Sequence, residues 1–476
     1  MSRRFLAVGL ACLFSLTVIS AAQSIQKLTH QPPDGAGICF LLTDGTVLCQ
    51  GNAESDWYKL TPDNTGSYVN GTWTKMANLP TGYVPDAFAS AVLADGRVVI
   101  TGGEYLNGNF TLTNLGAIYD PKANTWTSLA APSAWQYIGD SPSVVLPNGT
   151  FMVGNKLTKS MAMLNTKTLT WTVLPGTGKS DFNAEEGWTL LADGTVLTMD
   201  VKNAPNSENY SSTTRKWTTA GSTIVDLHSP SPFGCINYGP NGSLCYYPPG
   251  EIGPAILRPD GTVFATGSYT STGSGAGHTA IYNTSTKTWT AGPDFPNGDN
   301  AGDNFAVLLP NGDVLVEGSF SSYLWDGTSL TQTLSTFGSL MVLPTGQVLV
   351  GGTEVYNPAG TYEAAWAPTI TSVTTSVKRG STYKISGTQF NGLSQAAAFG
   401  DEFETSTNYP LVRITNNATG HVFYAKTHNH STMGVATGAK IVSTNFDVPS
   451  TMDTGDSSLV VVANGIPSVP VSITVN

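Results

Sequence analysis

Five stretches of the 476-residue chain carry a carboxylate eight to ten residues ahead of a turn glycine. These are Asp86 before Gly96, Asp140 before Gly149, Glu185 and Glu186 before Gly194, Glu251 before Gly261, and Asp303 before Gly312. Charged residues are only 12% of the chain, about half of ordinary usage, so the recurrence does not follow from a charge-rich composition. Aromatics stand a few residues earlier in four stretches (Tyr83, Tyr137 with Trp135, Phe182, Tyr247), and Trp188 follows Glu186. Carboxylates accept hydrogen bonds from sugar hydroxyls, and aromatic rings cover the apolar faces of pyranoses; together they suit a carbohydrate site. Paired acids, with Asp140, Glu186 and Asp303 as the candidates, could also serve as general acid and base on a glycosidic bond. No cofactor is otherwise expected, although clustered carboxylates without thiols would suit calcium. The competing role is structural, each acid bonding backbone N–H groups of a neighbouring element.

The elements that must position these residues are repeats. An apolar run, a turn ending in glycine, and a second apolar strand recur seven times, as in LLTDGTVLCQG at 41–51 and LLPNGDVLVEG at 308–318. The turn glycines are Gly45, Gly96, Gly149, Gly194, Gly261, Gly312 and Gly346. Asp-Gly or Asn-Gly between two apolar strands is a hairpin signal. A second phrase lies between these hairpins, as in AIYDPKANTWT at 117–127 and AIYNTSTKTWT at 280–290, with Trp73, Trp126, Trp171, Trp217 and Trp289 in its last strand. Two hairpins per repeat make a four-stranded antiparallel blade, which buries its faces only against neighbouring blades. The sixth and seventh repeats are degenerate: Trp325 falls where a third strand is expected, and Trp366 marks the last tryptophan position.

This order of Gly-ended hairpin, tyrosine strand and Trp-Thr strand resembles the kelch repeat. A seven-bladed kelch β-propeller over 23–367 followed by a β-domain resembles the galactose-oxidase-like family. The fold class expected is therefore all-β, and the resemblance covers nearly all of the chain. It implies that 368–476, rich in alternating strands, is an immunoglobulin-like early-set β-sandwich. In that family a copper radical site uses a cysteine cross-linked to tyrosine, a Tyr-His pair, and a histidine on a hairpin of the last domain. Here no Tyr-His dipeptide exists. The stretch matching the hairpin, Phe399–Asn408, offers Asp401, Glu402 and Glu404 and no histidine. Copper and oxidase chemistry are therefore disfavoured; for those three acids a solvated tip is the expectation, the alternative being that, as the family's hairpin does, they reach the channel axis and add to the ring of carboxylates. If the chain is an enzyme, glycoside hydrolase or polysaccharide lyase is favoured. The alternative is an extracellular protein-interaction scaffold without a catalytic site.

Two histidines, His428 and His430, would share one face of a continued strand and are the weak candidates for a metal pair. His30, His228, His278 and His421 are expected to be structural.

The chain's surroundings can be read from its ends and charges. Arg3 and Arg4, an apolar run from Phe5 to Ile19, and Ser20-Ala21-Ala22 form a signal peptide over 1–22 with cleavage near Ala22. The protein is thus expected to be secreted or periplasmic. Cys39 with Cys49 and Cys235 with Cys245 each bracket a hairpin, and these pairings are expected as disulfides, the second inside an insertion over about 224–250. A net charge of −11 disfavours nucleic acid and anionic membranes, and no later segment is long and apolar enough to insert in a membrane. The expected partner is an extracellular glycan or cell-surface component, bound by a monomer.

Overall fold

A computed structural model describes residues 22–230, 250–270 and 275–476, with the backbone of Gly234–Asn237 and Ser243–Tyr246. The described chain is all-β, with seven antiparallel sheets consistent with propeller blades, six of four strands and one that gains a fifth. Six are consecutive meanders over 39–75, 89–128, 143–174, 189–222, 252–291 and 306–332.

Each meander begins with the predicted hairpin. All seven turn glycines take φ between 75° and 89°, a left-handed conformation that costs glycine nothing and strains a residue with Cβ. The preceding Asp or Asn tightens the turn. Asp44, Asp193 and Asp260 each accept the backbone N–H two residues on, as do Asn148 and Asn311. The second phrase forms cross-strand pairs: Tyr119 opposes Trp126, Tyr210 opposes Trp217 and Tyr282 opposes Trp289, with ring centroids 5.0–5.2 Å apart. Such pairs bury large area on one face of a sheet.

Shared cores join the sheets into a ring. One core draws on the first, second, third and seventh sheets, a second on the third to fifth, and a third on the fifth to seventh. The seventh sheet is composite. Leu340–Val342, Val348–Val350 and Glu354–Asn357 are completed by Ser24–Lys27, whose Ser24 pairs with Asn357. Trp366 therefore does not occupy a fourth strand as expected; it ends a short 3-10 turn, Ala364–Trp366. The N-terminal segment was available to close the sheet, and the sequence pattern did not mark it. Trp325 does lie in a third strand, Ser322–Trp325.

From Thr369 on, a nine-stranded sheet curls around its own core, which includes Ile385, Phe390, Val412, Ile414, Phe446 and Val461. One piece leaves it. Ala397–Ala398 pairs antiparallel with Ala306–Leu308 at the inner edge of the sixth sheet, and the loop that follows is seated among the inner strands of the ring. Tyr409 OH donates to Leu41 O, Phe403 N–H to Phe88 O, and Leu190 N–H to Gln395 Oε1. Phe88, Phe305, Phe399 and Phe403 stack around it at 4.7–6.4 Å.

Cys39 and Cys49 are disulfide-bonded. Cys235 opposes Cys245 in the strand register, but their side chains lie outside the described residues, as does Tyr247.

Candidate functional site

The acids of the repeated position meet where the inner strands begin. Lys156, buried just after the strand Phe151–Gly154, holds two of them and one other acid: it pairs with Asp140, with Glu185 at 2.8 Å and, outside the repeated position, with Glu104 at 3.8 Å. Asp140 and Glu185 are buried, and Glu104 is half-buried. Glu251 and Asp303 interact electrostatically with Glu185 from the fifth and sixth sheets, and Asp86 interacts with Glu104. The chain enters several inner strands through left-handed residues, Ala87, Glu185 and Asp303, at φ 49°, 57° and 51°. Non-glycine residues in that region are uncommon and persist only when their surroundings hold them.

So many carboxylates around one ammonium favour protonation. Burial, followed by the charges of Glu185 and Asp303, pushes Glu251 up to about 11. Burial and then the Glu185 charge raise Asp303 to about 7, against a lowering hydrogen bond with Glu251. Asp303 nevertheless has an exposed side. Asp140 is raised chiefly by burial, which Lys156 opposes.

The loop 399–408 corrects one expectation. Asp401, Glu402 and Glu404 are not a solvated tip but buried, and the first two join the cluster. The β-pairing of Ala397–Ala398 carries the loop inward, and no local charge pattern could have revealed that. Burial holds Asp401 and Glu402 well above the usual carboxylate range. Glu404 rises to about 8 for the same reason, with Gln395 Nε2 donating to it at 3.2 Å.

Glu186 is also corrected: it does not share the cluster with Glu185. The chain turns at left-handed Glu185, and Glu186 enters a second buried group beside the fourth sheet. Lys179 Nζ lies 2.6 Å from its Oε2 and 3.0 Å from Glu208 Oε2, and 4.8 Å from the Trp217 ring centroid. Asp200, nearby, accepts from Ser180 Oγ at 2.9 Å and is raised to about 7 by burial and then by Glu208.

The predicted aromatics divide. Tyr83 and Trp188 are buried: Tyr83 OH donates to Gly102 O at 3.0 Å, and Trp188 packs on Trp217. Neither can face a ligand as expected, because these rings fill the cores between sheets. Trp135 and Tyr137 remain half-buried, and Phe182 packs beneath Lys202 at 4.4 Å. The aromatics at the mouth are others. A cavity of about 320 Å³ is lined by Gln50, Asn52, Glu54, Asp86, Phe305 and Phe403, among others. Phe305 and Phe403 lie within two residues of the clustered Asp303 and Glu402. A larger cleft, about 590 Å³, lies between the first sheet and the curled sheet at Asp44, Lys122, Tyr424 and Asp447, and contains none of the clustered acids.

His428 and His430 have different partners. His428 Nε2 lies 3.1 Å from Asp447 Oδ1, whereas His430 is held by Thr444 Oγ1 at 2.8 Å and stacks on Tyr409. Burial lowers His430 to about 3. Among the described residues they gain no third ligand; the groups with metal-like spacing are Asp140, Glu185, Asp401 and Glu186, Asp200, Glu208.

Glu104 and Lys156 escaped the sequence pattern. Their signal was present at another place: Glu104, Lys156, Asp200 and Glu317 all stand at or just past the end of a repeat's second strand. In an antiparallel hairpin that end lies beside the start of the first strand.

No family model and no curated protein matches the sequence. Three solved structures align with it at low similarity. A fungal alcohol oxidase of the AA5 family, in complex with copper, matches with a TM-score of 0.47 and 13% identity over 96% of this chain and 99% of its own. The extracellular domain of BT4673 from B. thetaiotaomicron matches with a TM-score of 0.47 and 11% identity over 93% of this chain, which spans 57% of that protein. YjhT matches with a TM-score of 0.34 and 14% identity over 69% of this chain and 95% of its own.

Proposed function

We propose that the protein is an exported, carbohydrate-binding β-propeller whose ligand enters the mouth at Asp86 and Phe305. In this reading the seven sheets are blades of one kelch-type ring and the curled sheet is an immunoglobulin-like early-set domain. The observation that carries it is the mouth itself, about 320 Å³, where two phenylalanines stand among Gln50, Asn52, Glu54 and Asp86. Rings supply apolar faces for a pyranose, and the amides and carboxylates supply hydrogen-bond partners for its hydroxyls. The Cys39–Cys49 disulfide supports an oxidising compartment.

The donors at the cluster are carboxylate oxygens beside an ammonium, a set suited to hard cations and not to copper. No copper chemistry is part of the reading. Glycan cleavage is favoured by one observation: Asp303, exposed two residues before Phe305 and raised to about 7, can hold a proton near neutrality.

The test is binding of neutral oligosaccharides on a glycan array, followed by titration of the best ligand. Asp86→Asn and Phe305→Ala should each weaken binding at least tenfold. Binding unchanged in both variants, with the fold intact, sinks the mouth as the site and favours an interaction scaffold. Reducing-end release by the parent protein that Asp303→Asn abolishes would establish cleavage.

A further inference from the structure

Asp401 reaches the cluster from the inserted loop and is almost fully buried, 2% exposed. Its Oδ2 has no hydrogen-bond partner, and neither does Oδ1 of buried Asp140. Lys156 engages the other oxygen of Asp140 and one oxygen of Glu185. A buried carboxylate oxygen left without a donor is costly, and both of these belong to residues of one cluster. One oxygen each from Asp140, Glu185 and Asp401 lies within 4.8 Å of the others. Ligands on a sphere of calcium–oxygen radius, about 2.3–2.6 Å, stand no more than about 5 Å apart, and this spacing falls within that limit.

Charge points the same way. Glu104, Asp140 and Glu185 share one ammonium, Lys156, and Asp401 and Glu402 bring two further carboxyls from the loop, so a bound cation would supply the positive charge that protonation otherwise replaces. All donors are hard oxygens, and none of the three proposed ligands is a histidine or cysteine.

We propose that one divalent cation of the calcium class binds between Asp140, Glu185 and Asp401, pinning the inserted loop to the ring of sheets. The site is independent of the glycan reading, since it lies among the buried acids and needs no occupant of the mouth. Asp140 comes from the entry to the third sheet, Glu185 from the entry to the fourth, and Asp401 from a segment more than 200 residues further along the chain. An ion there crosslinks three distant pieces of sequence, so it binds the folded state and not the unfolded chain.

The experiment uses the mature protein stripped with chelator and titrated with calcium by calorimetry, with the melting temperature followed in parallel and no glycan present. One calcium per chain should bind, and the melting temperature should rise with calcium. Asp401→Asn and Glu185→Gln should each lower the affinity at least tenfold and remove the rise. Asp200→Asn, in the other buried acid group, should leave both unchanged. No binding at millimolar calcium overturns the proposal, as does unchanged binding in a folded Asp401→Asn or Glu185→Gln protein. Loss of binding in Asp200→Asn instead would place the ion at Glu186, Asp200 and Glu208, and also overturns it.

Discussion

Lys156 is the residue on which the acid cluster turns. It is 1% exposed, and its ammonium contacts Asp140, Glu185 and Glu104. Removing one partner of a buried ion pair leaves uncompensated charge, at a cost of about 3–5 kcal/mol. Lys156→Met should therefore lose about that much stability in urea unfolding at neutral pH, whereas a loss under about 1 kcal/mol would mean that the surrounding acids are already neutral. At this scale the sequence identified acids by their place in the repeat, and Asp140, Glu185, Glu251 and Asp303 do meet. Their counter-ion was not legible, because a lone lysine in Gly154-Asn155-Lys156 looks like any loop lysine. Only its neighbours in space distinguish it. Glu185 and Glu186 show the converse: adjacent in sequence, they serve two different buried groups.

The inserted loop is the element that decides the site's chemistry. Gly187 and Gly400 permit its close seating: a Cβ on Gly187 would lie 2.4 Å from Gly400 O. Gly187→Val must push the loop outward, at a cost of roughly 1–3 kcal/mol for overpacking. Limited proteolysis should then cut within 399–408, where the parent protein resists; equal resistance would show that the loop is not held by this contact. Hairpins of the ring were legible because their information is local, an apolar alternation closed by Asp-Gly or Asn-Gly. The loop was legible only through the family resemblance, since its burial depends on a two-residue β-pairing with Ala306–Leu308, far away in sequence. Closure of the seventh sheet by Ser24–Lys27 was missed for the same reason.

For the whole molecule, buried carboxyls set the response to pH. Burial raises Asp200 to about 7 and both Glu317 and Glu404 to about 8, against roughly 4 in an unfolded chain. The folded state then holds more protons than the unfolded state between those values, so stability falls as pH rises through this window. Asp56 is lowered by its hydrogen bond to Lys75, and Asp447 by hydrogen bonds to Thr382 and His428 that outweigh its burial; both lose their contribution as pH falls through their folded values. The melting temperature should peak near pH 4 and decline toward pH 8; a steady rise over that range would refute the assignment. The sequence by itself determined the repeated hairpins, the all-β class and the supply of acids at one recurring position, because period and turn chemistry act over a few residues. Only the tertiary structure decided which acids meet, that Lys156 sits among them, and that Asp401 and Glu402 join from the C-terminal segment. Those contacts form between sheets, where burial and charge depend on positions that no local pattern encodes.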